Sequence, residues 1–127
     1  MKTVEEIIEH DVKHHHDGVS LEDFLHRIST ELKEGNARMA REGDTLIIFK
    51  AQPDKVCEFH CINADTASHL AENVLKFLKL AKEIGFAKAV TPYKNPAITH
   101  LIKKFFTGKY EFDIKETNVG FEAEVTL

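Results

Sequence analysis

Glu58 and His60 stand two residues apart in a run that alternates apolar and polar positions. In a strand that spacing puts both on one face, with Cys57, Phe59 and Cys61 on the other. General-base work calls for a glutamate raised by burial or for a histidine near its ordinary value. The pair is therefore a candidate general base, and the plainer reading is the wet outer face of a half-exposed sheet. Ser68 and His69 at the start of a helix are a second candidate. A helix N-terminus favours anions, and these side chains could donate to a phosphate there. Asp65 or Thr66 as an N-cap, with His69 in solvent, explains the same residues without a ligand. Asn95 precedes Pro96 at another helix opening, where capping alone accounts for an asparagine and ligand contact would be an addition.

Other clusters carry less. His14-His15-His16 with His10 and Asp17 could suggest a metal, and His10 and His14 are one helical turn apart. Adjacent histidines on a helix diverge, however, so the triplet cannot close a tetrahedral site and reads as a solvated helix end. Metal ligands are assigned to none of these residues. Cys57 and Cys61 share a strand face too far apart for a disulfide, and read as reduced core thiols. Ser20, Ser29 and Thr30 lack a nucleophile elbow around them.

The elements that must position these groups follow from periodicity. Thr3 caps a first helix carrying Val4, Ile7, Ile8 and Val12 on one side, ended by His14 to Gly18. Ser20 and Asp23 open a second, with Phe24, Leu25, Ile28 and Leu32 as its buried stripe, stopped at Gly35-Asn36. Strands over Ala37–Ala40 and Thr45–Ala51 flank a turn at Arg41-Glu42-Gly43-Asp44. Lys55–Asn63 is a third strand, and Thr66–Ile84 a long helix with Leu70, Val74, Phe77, Leu78 and Ala81 facing the core. Ala87–Tyr93 is a short strand, and Asn95 opens a helix packed through Ile98, Leu101, Ile102 and Phe105. Lys109–Thr117 and Phe121–Leu127 join across Asn118-Val119-Gly120. The order α-α-β-β-β-α-β-α-β-β predicts an α/β fold: a mixed, mostly antiparallel twisted sheet flanked by helices, in one domain over residues 1–127.

With 127 residues, 43% hydrophobic and 30% charged, the chain can bury one real core. A formal charge of −4 and a pI near 6.0 offer no broad basic field, which argues against nucleic acid. Lys103 and Lys104, the densest basic spot, belong on the wet face of a helix. No run approaches the roughly 18 apolar residues of a membrane span, and Met1 to Glu6 has no signal-peptide core, so the expected setting is cytoplasmic.

One stretch resembles a known family. Leu78 to Phe86, then Ala89-Val90-Thr91, then Asn95-Pro96-Ala97-Ile98, is similar to the GNAT superfamily's long helix ending in A-x-x-x-G, its next strand, and the Asn opening its next helix. The element order extends the resemblance over almost the whole chain, and compact members of this kind look like bacteriophage accessory proteins. The resemblance implies an acyl-CoA-dependent N-acyltransferase. Its acetyl-CoA would lie in a gap between splayed strands, with pantetheine on the backbone of Cys61, Ile62 and Asn63, phosphate near Ser68 and His69, and Asn95 at the ligand's edge. Glu58 or His60 would take the ammonium proton. Implied partners are a small amine or a protein amine, with room for a homodimer.

The chain departs from the family at two places. Counting back from Ala81, the pyrophosphate loop [QR]-x-x-G-x-[GA] falls on Asp65-Thr66-Ala67-Ser68-His69-Leu70, where an acid replaces Arg or Gln and Leu70 would crowd the approach. The usual acid, a Tyr seven after the helix-opening Asn, falls on Ile102. These departures predict weak CoA binding, and give a second expectation: a GNAT-like binding or assembly module without the chemistry.

Overall fold

A computed structural model describes residues 2–15 and 20–127. The elements are α1 (Val4–His15), α2 (Leu21–Lys33), β1 (Arg38–Glu42), β2 (Thr45–Gln52), β3 (Val56–Asn63), α3 (Ala67–Ile84), β4 (Lys88–Tyr93), α4 (Pro96–Phe106), β5 (Glu111–Thr117) and β6 (Gly120–Thr126). The strands make one sheet in the order β1-β2-β3-β4-β6-β5. All neighbours are antiparallel except β3 and β4, which run parallel on either side of the α3 crossover. This is the mixed, helix-flanked sheet that the periodicity predicts.

Local chemistry sets the helix ends. Thr3 and Glu6 form a reciprocal box: the Glu6 N–H donates to Thr3 Oγ1 at 3.1 Å, and the Thr3 N–H donates to Glu6 Oε1 at 3.0 Å. Ser20 Oγ accepts from the Asp23 N–H at 3.1 Å. Gly85 ends α3 in the left-handed conformation. The stop predicted at residues 16–18 lies outside the described residues.

Alternation along β3 divides the core. Cys57 and Phe59 turn towards Val74, Phe77, Leu78 and Ala81 of α3 and Ile102 and Phe106 of α4. Ile62, with Leu46 of β2, turns the other way, onto Ile7, Ile8 and Val12 of α1. Each such aliphatic or aromatic side chain contributes about 1.5–3 kcal/mol when fully buried. The second helix differs from expectation: Phe24, Leu25, Ile28 and Leu32 are only half-buried, because α1 already covers the sheet there.

Turn chemistry also differs in detail. Arg41 and Glu42 continue β1, and the hairpin needs only Gly43 and Asp44, with Gly43 at φ +55° in the first central position, where two-residue loops favour glycine. Gly120 pairs with Thr117, so Asn118 and Val119 alone make the β5–β6 turn. Lys55 lies outside β3, in a tight Pro53–Lys55 turn where Asp54 and Lys55 both have positive φ. Ala37, Ala87, Lys109, Tyr110 and Leu127 fall just beyond the strands.

Candidate functional site

The sheet splits between β3 and β4. Their register ends after three pairs, Val56 with Lys88, Cys57 with Ala89 and Glu58 with Val90. Beyond Glu58, β3 stays paired to β2 as far as Asn63, and β4 stays paired to β6 as far as Tyr93. Each strand therefore turns an unshared edge towards a widening gap. The Ala64 N–H donates to Asp44 O on the β2 side, whereas Lys55 O accepts from the Ala87 N–H on the β4 side. Alternation then assigns the backbone of Phe59, Cys61 and Asn63 to the gap and that of His60 and Ile62 to β2. Ile62 thus leaves the predicted ligand-facing set: its peptide groups belong to the β2 ladder, and its side chain packs under α1. Pro92 stands opposite, on β4. A proline in an interior strand is tolerated where no partner needs its N–H, and here β3 has already diverged.

The wide end of the fork leads through residues 64–66 into the N-terminus of α3, capped by Thr66 Oγ1, which accepts from the His69 N–H at 3.3 Å. A polar knot fixes this loop. Asp65 Oδ2 accepts from the Asp44 N–H at 2.9 Å and from Asn73 Nδ2 at 3.0 Å. Asn73 Nδ2 also donates to Thr45 Oγ1, whose hydroxyl donates to Asn63 Oδ1 at 2.8 Å. Asn63 Nδ2 donates to Asp65 O, and the Asp65 N–H donates back to Asn63 Oδ1. Thr45 and Asn73 are buried, so these bonds satisfy groups that burial would otherwise penalise. Gly43 closes against the knot, its missing Cβ only 3.0 Å from Asp65 Oδ2. Burial alone would raise the Asp65 carboxyl; the bonds from the Asp44 N–H and Asn73, and the neighbouring His69, outweigh it and hold the group below its usual range.

Asp65 is thus an anion committed to the loop's own architecture. Ser68 and His69 are exposed beside it, and His69 Nδ1 lies 3.4 Å from Asp65 Oδ1. Leu70 leans into the core cluster around Phe77, which corrects the expectation that it crowds the helix start. A shallow hollow of about 370 Å³, bordered by Asp65, His69, Asn73 and Lys76, opens at this corner.

On the α1 side of the fork, Glu58 Oε2 lies 3.4 Å from Lys50 Nζ and 3.8 Å from His60 Nε2. The structure brings the two predicted acid–base groups together, Glu58 at the last paired position and His60 two residues beyond it. On the α3 side, burial pushes the Cys61 thiol up to about 12, with Asp11 adding to it, and the Cys57 thiol up to about 11, with Glu58 adding to it. Both cysteines are free. Asn95 caps α4, its Oδ1 accepting from the Ala97 N–H at 3.0 Å. Ile102 is buried in the core. Tyr93 ends β4 on the same side, with its hydroxyl 2.7 Å from Thr99 Oγ1 and its ring stacked on Phe121.

Sequence reasoning missed Asp11, Thr45, Asn73 and Pro92. Asp11 sits in the apolar stripe of α1 and is buried; its Oδ1 accepts from the Asn63 N–H at 3.1 Å. A charged residue inside an apolar stripe was the available signal. Of the described histidines there, His14 is exposed as expected and His10 is not. His10 is half-buried and stacked on His14 with centroids 4.2 Å apart, and its Nδ1 is buried without a partner among the described residues.

Such a fork suits an extended ligand with amide groups along β3 and an anionic tail at the α3 N-terminus. A parallel pair that parts in this way beside a crossover helix defines a class, and solved structures identify it as the fold of the GNAT acetyltransferases. A ribosomal-protein-alanine N-acetyltransferase from Brucella melitensis superposes with a TM-score of 0.61 over 94% of this chain and 90% of its own, at 13% identity. A Bacillus subtilis acetyltransferase solved in complex with CoA gives 0.61 over 100% and 95%, at 14% identity. A probable GNAT-family acetyltransferase from Chromobacterium violaceum gives 0.58 over 85% and 67%, at 13% identity. No family model and no curated protein matches by sequence.

Proposed function

We propose that this chain is an N-acyltransferase that carries an acyl group, most simply acetyl from acetyl-CoA, to a primary amine on a small molecule or a protein. The observation that carries the reading is the β3–β4 fork opening onto the N-terminus of α3. In this reading the acyl arm lies along the β3 edge, with the Cys61 peptide group as its inner partner. Its phosphates meet the first N–H groups of α3, near Ser68 and His69. Asn95, at the first turn of α4, borders the fork from the β4 side.

Glu58 and His60 lie on the opposite sheet face from Cys61, so an amine approaching from the α1 side meets them first. One of them takes the ammonium proton, and the freed nitrogen attacks the thioester carbonyl. The C–N bond forms, the C–S bond breaks, and the sulfur leaves as thiolate. The nitrogen's second proton passes to that thiolate; Ile102 cannot relay it, whereas the Tyr93 hydroxyl or water can. A general base supplies about 10²–10⁴-fold in rate. The Glu58→Gln and His60→Ala variants should therefore lower kcat by that order for whichever residue is the base, with acetyl-CoA affinity unchanged. An assay of acetyl transfer to an amine panel decides it. Activity untouched by both substitutions removes these residues from the mechanism. Absence of acetyl-CoA binding favours the assembly-module alternative.

A further inference from the structure

Asp11 is a buried carboxylate that this mechanism leaves unused. It projects from α1, whose Ile7, Ile8 and Val12 anchor the helix on β2 and β3. Its carboxylate accepts the Asn63 N–H, a donor that strand alternation assigns to the fork. Asn63 lies two residues along β3 from Cys61, about 6.6 Å in an extended strand. An arm with two amides spaced as in pantetheine would pair first at Cys61 and then at Asn63. A shorter arm with a single amide stops at Cys61.

Resting on the acyltransferase reading, we propose that Asp11 is a built-in competitor for the outer pairing position of the fork, which the donor's second amide must displace to seat in full. The competitor is strong because a bond to a charged acceptor is about twice as strong as a neutral one. It is also fixed in place, since three buried neighbours hold α1. Donors that reach only Cys61 escape this competition, so Asp11 sets how donors of different length are ranked.

The test compares wild type, Asp11→Ala and Asp11→Asn by calorimetry against acetyl-CoA, S-acetylpantetheine and S-acetyl-N-acetylcysteamine, which has one amide. Asp11→Ala should tighten the two longer donors at least about tenfold, the factor that one hydrogen bond to a charged group carries. The short donor should be unchanged. Asp11→Asn keeps a neutral acceptor and should give a smaller gain in the same order, which keeps the test available if the alanine variant does not fold. In wild type, the Asn63 amide proton resonance should shift when S-acetylpantetheine binds, because its acceptor changes. Equal affinities across the three proteins, or a loss with Asp11→Ala, overturn the competition and leave the acyltransferase reading standing. Failure of all three proteins to bind any of the donors overturns both.

Discussion

Asp65 changes meaning between sequence and structure. As a letter in a loop it reads as repulsion for a pyrophosphate; in place it is the acceptor that binds the β1–β2 turn to the start of α3. Replacing it by Asn should cost about 1–3 kcal/mol, the range for leaving a buried donor poorly satisfied. Its lowered carboxyl contributes stability above its ordinary value near 3.8, and that stability is lost as pH falls through the folded-state value. Urea titrations of Asp65→Asn should accordingly show less stability at neutral pH and a flatter acid limb; an unchanged acid limb would contradict the knot. An arginine placed there to restore the family pattern should unfold the corner instead of improving it. The thiols act in the opposite sense. Their pKa values are raised, so the stability they contribute is present below about pH 9 and lost as pH climbs towards 11 to 12. Alkylation of the native protein at neutral pH should be slow at both Cys57 and Cys61, and fast once denatured. A rapidly labelled native thiol would mean that the core around β3 is open.

Among the elements, the fork makes the sharpest demand. His60 and Ile62 amides bond to β2 while the Cys61 amide faces the gap. Hydrogen exchange should therefore protect residues 60 and 62 and leave 61 fast, then slow 61 when acetyl-CoA is added. Protection of all three without ligand would show that β3 and β4 close on each other. Gly120 is a second element-level constraint. At φ +148° a Cβ there would stand 2.4 Å from Tyr93 O, so Gly120→Ala must shift the β4–β6 pair or the end of the fork. A loss of about 1–3 kcal/mol in a denaturant titration is expected; no loss would mean that the β5–β6 turn yields freely. The elements themselves were legible because the helix stripes and strand alternation are strong, as Val74, Phe77, Leu78 and Ala81 on α3 illustrate. Glu58 and His60 were legible for the same reason, alternation alone setting their common face. The turn at Gly43 was drawn too long, since composition marks a turn but pairing decides how few residues it needs. Asp11 left one local sign, a charge inside the apolar stripe of α1, but its partner Asn63 and the Thr45–Asn73 link are distant in sequence, and no local pattern reports such a contact.

Across the described residues, the molecule is a six-stranded sheet with α1 and α2 on one face, α3 and α4 on the other, and one parallel junction where the sheet opens. Among the described residues no helix is long and apolar enough to cross a membrane. The strand–helix–strand order around α3 supplies the long crossover that parallel neighbours need. Where the junction opens is set by backbone pairing that periodicity does not report. The central claim is that this opening takes an acyl-CoA, and titrating acetyl-CoA while recording backbone amide resonances tests it most directly. One saturable event is expected, moving Cys61, Asn63, Ala67 and Ser68 together, from the fork to the first turn of α3. Binding that leaves Cys61 and Asn63 unmoved, or no binding by wild type and Asp11→Ala alike, would contradict it.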